Sequence, residues 1–302
     1  MSSILTNSAA LTALTSLTKT QNSLQMTQDR ISTGLRVGSA SDNAAYWSIA
    51  TTMRSDNSSL STVKDALGLG SATADVAYTG TNEAIDLATQ IKNKLVTALQ
   101  PGVDRSKIQA DITQLQKQLK STADSSTYAG QNLLSVDSAA AGYNSTSSTL
   151  SSYTRAGGVI TTGTIDINVT TSKLYDAKDQ SGLLDKVGTS SASVDTIDIS
   201  ALTDSAADAT KMKAMIADVD TAISGMTTSA ANLGAAKTRM TNQSTFIDAL
   251  STAITSGIGT LVDANMTEES TKLSALQVQQ QLGTQALSIA NQSTQSILSL
   301  FR

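Results

Sequence analysis

Between residues 212 and 261 every seventh residue is apolar: Met212, Val219, Met226, Leu233, Met240, Ile247, Ile254 and Leu261. The positions four further along are mixed, with Ile216, Ile223, Ala230 and Ile258 but also Lys237, Ser244 and Ser251. A strict seven-residue apolar repeat turns one narrow face of a helix toward a partner and winds it into a gentle left-handed supercoil. A continuous helix over this stretch is about 75 Å long. It cannot bury that seam against itself, so the rest of the chain has to supply partner helices.

Composition permits this and excludes much else. A single proline in 302 residues leaves long helices uninterrupted. Charged residues make up 15% and aromatics 3%, against about a quarter charged in a typical soluble domain; Ser, Thr, Ala, Asn and Gln fill the deficit. The net charge of −4, without a basic block, argues against a nucleic-acid partner. There is no cysteine and no histidine, which removes thiol nucleophiles, disulfides, imidazole bases and nearly every zinc, copper or haem site. Serines abound, but a Ser-His-Asp triad cannot be built. Gly68-Leu69-Gly70 lacks the third glycine and the preceding strand of a dinucleotide fingerprint. Asp166 and Asn168 alternate with Ile165 and Ile167 as on a solvated strand, not as in a calcium repeat. No enzyme activity, cofactor or metal is expected. Residues 1–18 carry no positive charge, and Ser or Thr interrupts every apolar run, so no cleavable signal peptide is expected. No stretch is expected to reach the length of a membrane span, and no membrane partner is expected.

Taken in order, the chain divides into five stretches. Residues 1–42 read as a helix and a connector. Ala10, Leu17, Leu24 and Ile31 recur by sevens, Leu11 and Leu14 widen the stripe, and the first charged side chain is Lys19. Gly34 offers a C-terminal cap, and Ser41 with Asp42 a start for the next helix. Residues 43–138 continue as a long helix to about residue 99, in which Gly68, Gly70 and Gly80 predict a bend. Pro101-Gly102 ends it, and a third helix from Asp104 carries Ile108, Ile112, Leu115 and Leu119 on one face. Residues 139–202 read as a small, surface-exposed β-rich insert, with strands predicted through Ile165, Ile167 and Val169 and through Val194, Ile197 and Ile199. Residues 203–264 are the heptad rod. Residues 265–302 form a last helix, capped by Thr267, with Glu268 and Glu269 in its first turn. The predicted fold is mainly α: a long coiled-coil helical rod from N- and C-terminal segments with a small β-rich insert.

The two terminal helices share an oddity. After Lys272 no charge occurs until Arg302, yet Leu273, Leu276, Val278, Leu282, Leu287 and Ile289 recur along the way. A helix facing water normally shows charge on its outer side. Uncharged amphipathic helices at both ends imply burial on all sides inside an assembly. The candidate self-assembly residues are Leu14, Leu17, Leu24, Ile31, Leu276, Leu282, Ile289, Ile297, Leu300 and Phe301. A secreted coiled-coil adhesin or needle-tip protein would also explain the heptads, though not the matched uncharged ends.

Two sets of motifs then point to a family. Ile31-Ser32-Thr33-Gly34-Leu35-Arg36-Val37, followed by Ser41-Asp42-Asn43-Ala44-Ala45 and Ser48-Ile49-Ala50, resembles the N-terminal signature of bacterial flagellins. Gln279-Gln280-Gln281-Leu282-Gly283, Ala290-Asn291-Gln292 and Leu298-Ser299-Leu300-Phe301-Arg302 resemble their C-terminal end. The match covers roughly the first 135 and last 100 residues and is similar to short flagellins that lack large outer domains. The resemblance implies a structural subunit of the extracellular flagellar filament, used for swimming. It implies terminal helices paired along the filament channel, an outer-core domain from residues 43–127 and 205–261, and a spoke at residues 34–40. The implied partners are further copies of itself, other flagellin isoforms, the filament cap and hook-junction proteins, and a type III export chaperone on the C-terminal segment. Family members sensed by Toll-like receptor 5 carry an arginine-rich stretch where residues 90–96 here carry none. A hook–filament junction protein is the alternative within the same system.

Overall fold

A computed structural model describes residues 7–300 of the chain. The helices are α1 (Ser8–Thr33), α2 (Ala44–Ala98), α3 (Arg105–Ser125), the single-turn α4 (Val169–Ser172), α5 (Ala206–Val262) and α6 (Met266–Leu300). The strands are the short β1 (Thr127–Tyr128), β2 (Gln131–Asn132) and β3 (Ser135–Val136), the long β4 (Thr146–Ala156) and β5 (Val159–Asn168), and β6 (Tyr175–Asp176). The chain falls into two compact units, Ser59–Leu250 and the residues that flank it on both sides.

In the Ser59–Leu250 unit the heptad seam does what its spacing predicts. Met212, Val219, Met226, Leu233, Met240 and Ile247 are all buried, as are Leu60, Val63, Leu67, Leu87, Ile91 and Leu95 of α2. Three ion pairs tie α2 to α5: Lys64 to Asp248 at 2.6 Å, Asp75 to Lys237, and Lys92 to Asp220 at 2.7 Å. Each step forward between them on α2 is matched by an equal step backward on α5, which fixes one antiparallel register. The glycines do not bend α2, which is continuous. A Cβ at Gly70 would lie 2.3 Å from the Thr149 hydroxyl, and one at Gly80 2.8 Å from a Leu134 methyl. These glycines are the places where β4 and the residues after α3 lie against the helix, and that contact offsets their low helix propensity.

The middle of the chain is not uniform. β4 and β5 form an antiparallel hairpin turned by Gly157 and Gly158, both at positive φ, with a bulge between Leu150 and Ser152. Ile165 and Ile167 point inward and are buried. The second alternating stretch is no strand; it is a 3-10 turn at Val194–Thr196 and an extended tail. Its backbone is paired with side chains of α3 instead of a neighbouring strand. The Gln116 amide donates to the carbonyls of Val194 and Ile197, and Gln109 both donates to Ile197 O and accepts from Ile199 N–H. Leu174, Leu184, Ile197 and Ile199 are consequently buried, so the later part of residues 139–202 packs as core, and only the hairpin has a surface character.

In the flanking unit the connector after α1 docks on the end of α5. Gly34 takes φ +73 and donates to Arg30 O, closing α1 as its sequence predicts. Leu35 bridges to Asp263, and the N–H groups of Arg36 and Val37 both donate to Val262 O. The Arg36 guanidinium donates to the carbonyls of Leu261 at 2.9 Å and Thr260 at 3.4 Å, placing a cation on the negative end of α5. Val37, Ala50, Ile258 and Val262 make a small core here. The predicted caps shift slightly. Asn43, not Ser41, accepts from the first N–H groups of α2, and Asn265, not Thr267, does so for α6. Asp42 instead folds the connector back: hydrogen bonds from Ser39 and Gly38 hold its carboxyl below the usual range.

Candidate assembly surface

α1 and α6 pair with each other in antiparallel order. Asn7 Nδ2 donates to Ala290 O at 2.9 Å, a Cβ built on Gly283 would meet Leu17 at 3.2 Å, and Arg30 bonds Glu269 at 3.1 Å. The less exposed residues of α1 step by three and four through Ala13, Leu17, Thr20, Leu24, Thr27 and Ile31, and those of α6 through Glu269, Leu273, Leu276, Gln280, Gly283 and Leu287. This is a heptad seam in which six Leu and Ile residues are mixed with six small or polar ones. Leu17, Leu24, Ile31 and Leu276 of the predicted assembly set lie on it.

The remaining described members of that set face away from the seam. Leu14 is 49% exposed, Leu282 58% and Ile289 66%, and Leu11, Met26 and Val278 are exposed with them. Phe301 lies outside the described residues, and the side chains of Ile297 and Leu300 lie outside those described. Each terminal helix is thus apolar on two sides, one closed by its partner helix and one open. Periodicity alone could not separate the two sets, because seam and outer residues interleave within the same turns. Two further features were not evident from the apolar spacing. Arg30 with the buried Glu269 supplies a polar clasp across the seam, and Tyr46, Trp47 and Ile49 stand exposed on the first turns of α2. The position of the one tryptophan, inside an uncharged run, was the signal that could have found the second.

α5 corrects one expectation. It contains an 18-residue stretch apolar enough, by length and composition, to cross a membrane, and only 11% of that stretch is buried. The heptad positions, interspersed with Ala, Gly, Ser and Thr, produce this without any break in the helix. Within residues 90–96, Gln90 is exposed and Lys92 and Lys94 are engaged by Asp220 and Asp111. No group of three or more potential metal ligands occurs among the described residues. A concavity of about 720 Å³ beside the hairpin is lined by Leu69, Gly70, Tyr143 and Thr149 among others.

The same two ends of the chain match known proteins. Residues 4–139 match the N-terminal helical region of bacterial flagellin and residues 216–301 its C-terminal helical region. The chain is similar to Flagellin C of Rhizobium meliloti (strain 1021), at 46% identity over 323 aligned residues, and to the flagellin of Brucella melitensis biotype 1, at 46% over 303. It is also similar to Flagellin A of Rhizobium meliloti (strain 1021), at 40% over 396. Each alignment covers 100% of both chains.

Proposed function

The chain belongs to the bacterial flagellin family and is a structural subunit that polymerises into the flagellar filament used for swimming, and we propose that the outward faces of α1 and α6 are where it does so. The junction-protein and adhesin readings are not favoured. One observation carries the proposal: Leu14, Leu282 and Ile289 are half or more exposed on helices whose outer faces hold almost no charge. Exposed apolar stripes of this kind are covered by a partner in the working state. For a homopolymer subunit the partner in excess is another copy. Residues 1–42 and 265–302 then form the inner layer, residues 43–138 and 203–264 the outer core, and residues 139–202 the part between them in sequence. The thinly buried apolar stretch of α5 fits the same reading as subunit surface. The filament cap, hook-junction proteins, a type III export chaperone and other flagellin isoforms are the further partners this reading implies.

The test is Leu282→Asp. The side chain is exposed in the single chain, so the variant stays soluble and helical. In the packed layer the carboxylate finds no hydrating neighbour among Gln281, Gly283 and Ala286, at a cost of several kcal/mol per subunit. Negative-stain microscopy under assembly conditions is expected to show no filaments, while Leu282→Met assembles. Normal filaments from Leu282→Asp would remove this face from the assembly surface.

A further inference from the structure

Residues 173–199 fold into a tight knot around a buried polar centre. Lys173 Nζ lies 2.5 Å from Asp176 Oδ2 and 2.5 Å from Ser181 Oγ, with both ends of the ion pair buried. Asp185 Oδ2 accepts the Asp176 N–H at 2.6 Å, but its Oδ1 is buried without a hydrogen-bond partner. The knot is closed by Leu183 N–H on Lys173 O, Leu184 N–H on Leu174 O and Asp195 N–H on Leu184 O. The loop carrying Asp185 is bracketed by Gln180 at φ +52 and Ser191 at φ +64, two left-handed residues that are not glycine. Such residues persist only where the surroundings over-determine them.

A buried carboxylate with one bare oxygen is a costly group to keep ionised. The charges around it do not relieve it. Lys173 is committed to Asp176, whose own carboxyl is held well below the usual range by that lysine despite its burial. Tyr175 donates its hydroxyl to Asp195, and Lys120 of α3 sits over the Tyr175 ring, with Asp124 one turn further along α3. Lys178, Asp179 and Lys186 of the loop are exposed. The Asp176 carboxylate adds its charge beside Asp185, Asp218 of α5 is engaged by the Thr189 and Ser190 amides of the same loop, and no cation among the described residues pairs with Asp185. Burial, reinforced by the Asp176 charge, pushes the Asp185 carboxyl above its ordinary range, against the pull of its backbone hydrogen bonds.

We propose that Asp185 is a proton-operated latch on this knot: protonated, it holds the loop between Gln180 and Ser191 closed, and ionised, it lets the loop open. The sign follows from where the proton is bound. The closed form holds it and the open form gives it up, so closure is firm at low pH and weakens as pH rises, until the closed form itself ionises. Over that interval the opening constant rises by up to about tenfold per pH unit.

Amide hydrogen exchange on the full chain between pH 5 and 9, corrected for intrinsic chemistry, reads this directly. The amides of Leu183, Leu184 and Asp195 are expected to lose protection with rising pH, while that of Leu233 in the buried seam of α5 does not. Asp185→Asn is expected to flatten the profile, and Asp195→Asn to leave it in place. A flat profile in the unsubstituted chain overturns the latch, as does a slope that survives Asp185→Asn. Should the variant fail to fold, the carboxyl carbon-13 shift of Asp185 decides: titration in the ordinary aspartate range near pH 4 also overturns it.

Discussion

Ser229 lies in the buried seam of α5 with a hydroxyl that meets no hydrogen-bond partner. Other hydroxyls along these helices return to the carbonyl four residues back, as Thr73 and Thr81 do. Removing an unsatisfied buried polar group recovers its desolvation cost, so Ser229→Ala is expected to stabilise the fold by about 1 kcal/mol. A thermal melt should show the midpoint rise by about 2 °C; a fall would mean that the hydroxyl is satisfied in solution. At this scale the sequence was least legible. The predicted bend at Gly68, Gly70 and Gly80 is absent because the reason for two of these glycines is a neighbour, Thr149 or Leu134, many residues away along the chain. Gln109 and Gln116, which the apolar spacing of their helix did not single out, supply the hydrogen bonds that a strand would otherwise have supplied to residues 194–199.

At the level of elements, spacing was a good guide wherever a long period had room to repeat. α1 ends, and α3 and α5 begin and end, close to where their caps and apolar stripes put them, and every heptad position from Met212 to Ile247 is buried. The short alternation of Val194, Ile197 and Ile199 was too brief to tell a strand from an extended tail held by side chains. The hairpin gives the sharpest contrast between tolerant and intolerant loops. A short flexible tag inserted between Gly157 and Gly158 touches a turn that nothing packs against, so filaments and thermal midpoint are expected to be unchanged. The same tag between Ser190 and Ser191 disrupts the loop whose Thr189 and Ser190 amides donate to Asp218 on α5. It is expected to lower the midpoint by several degrees. Equal tolerance at the two sites, scored by melting and microscopy, would show that the Asp218 contact carries little.

Across the whole molecule, the two helix pairs differ in what they bury. Leu67, Ile91, Leu95, Met226, Leu233 and Met240 are closed off on α2 and α5, whereas the buried side chains described on α1 and α6 are Thr27, Glu269 and Leu276. Apolar area sets most of the strength of such contacts, and helices without it are marginal in water. In the unassembled chain trypsin is therefore expected to cut at Lys19 and Lys272 well before Lys64 and Arg239. In filaments the first two sites should become resistant, as mass spectrometry of a digestion time course would show. Equal protection of Lys19 and Arg239 in dilute, unassembled protein would mean that the terminal pair is stable alone. The outer apolar faces were legible from the missing charges; which residue turned inward and which outward was not.

The three ion pairs between α2 and α5 have a consequence of their own. Along α2 the signs run Lys64, Asp75, Lys92, and along α5 they run in the opposite sense, Asp248, Lys237, Asp220. Each pair is partly exposed and worth little by itself. Together the three nonetheless work as a parity check. A slip of one or two heptads, which the repeating apolar seam would accept, parts all three pairs at once, so the charges hold a register that the seam by itself leaves open.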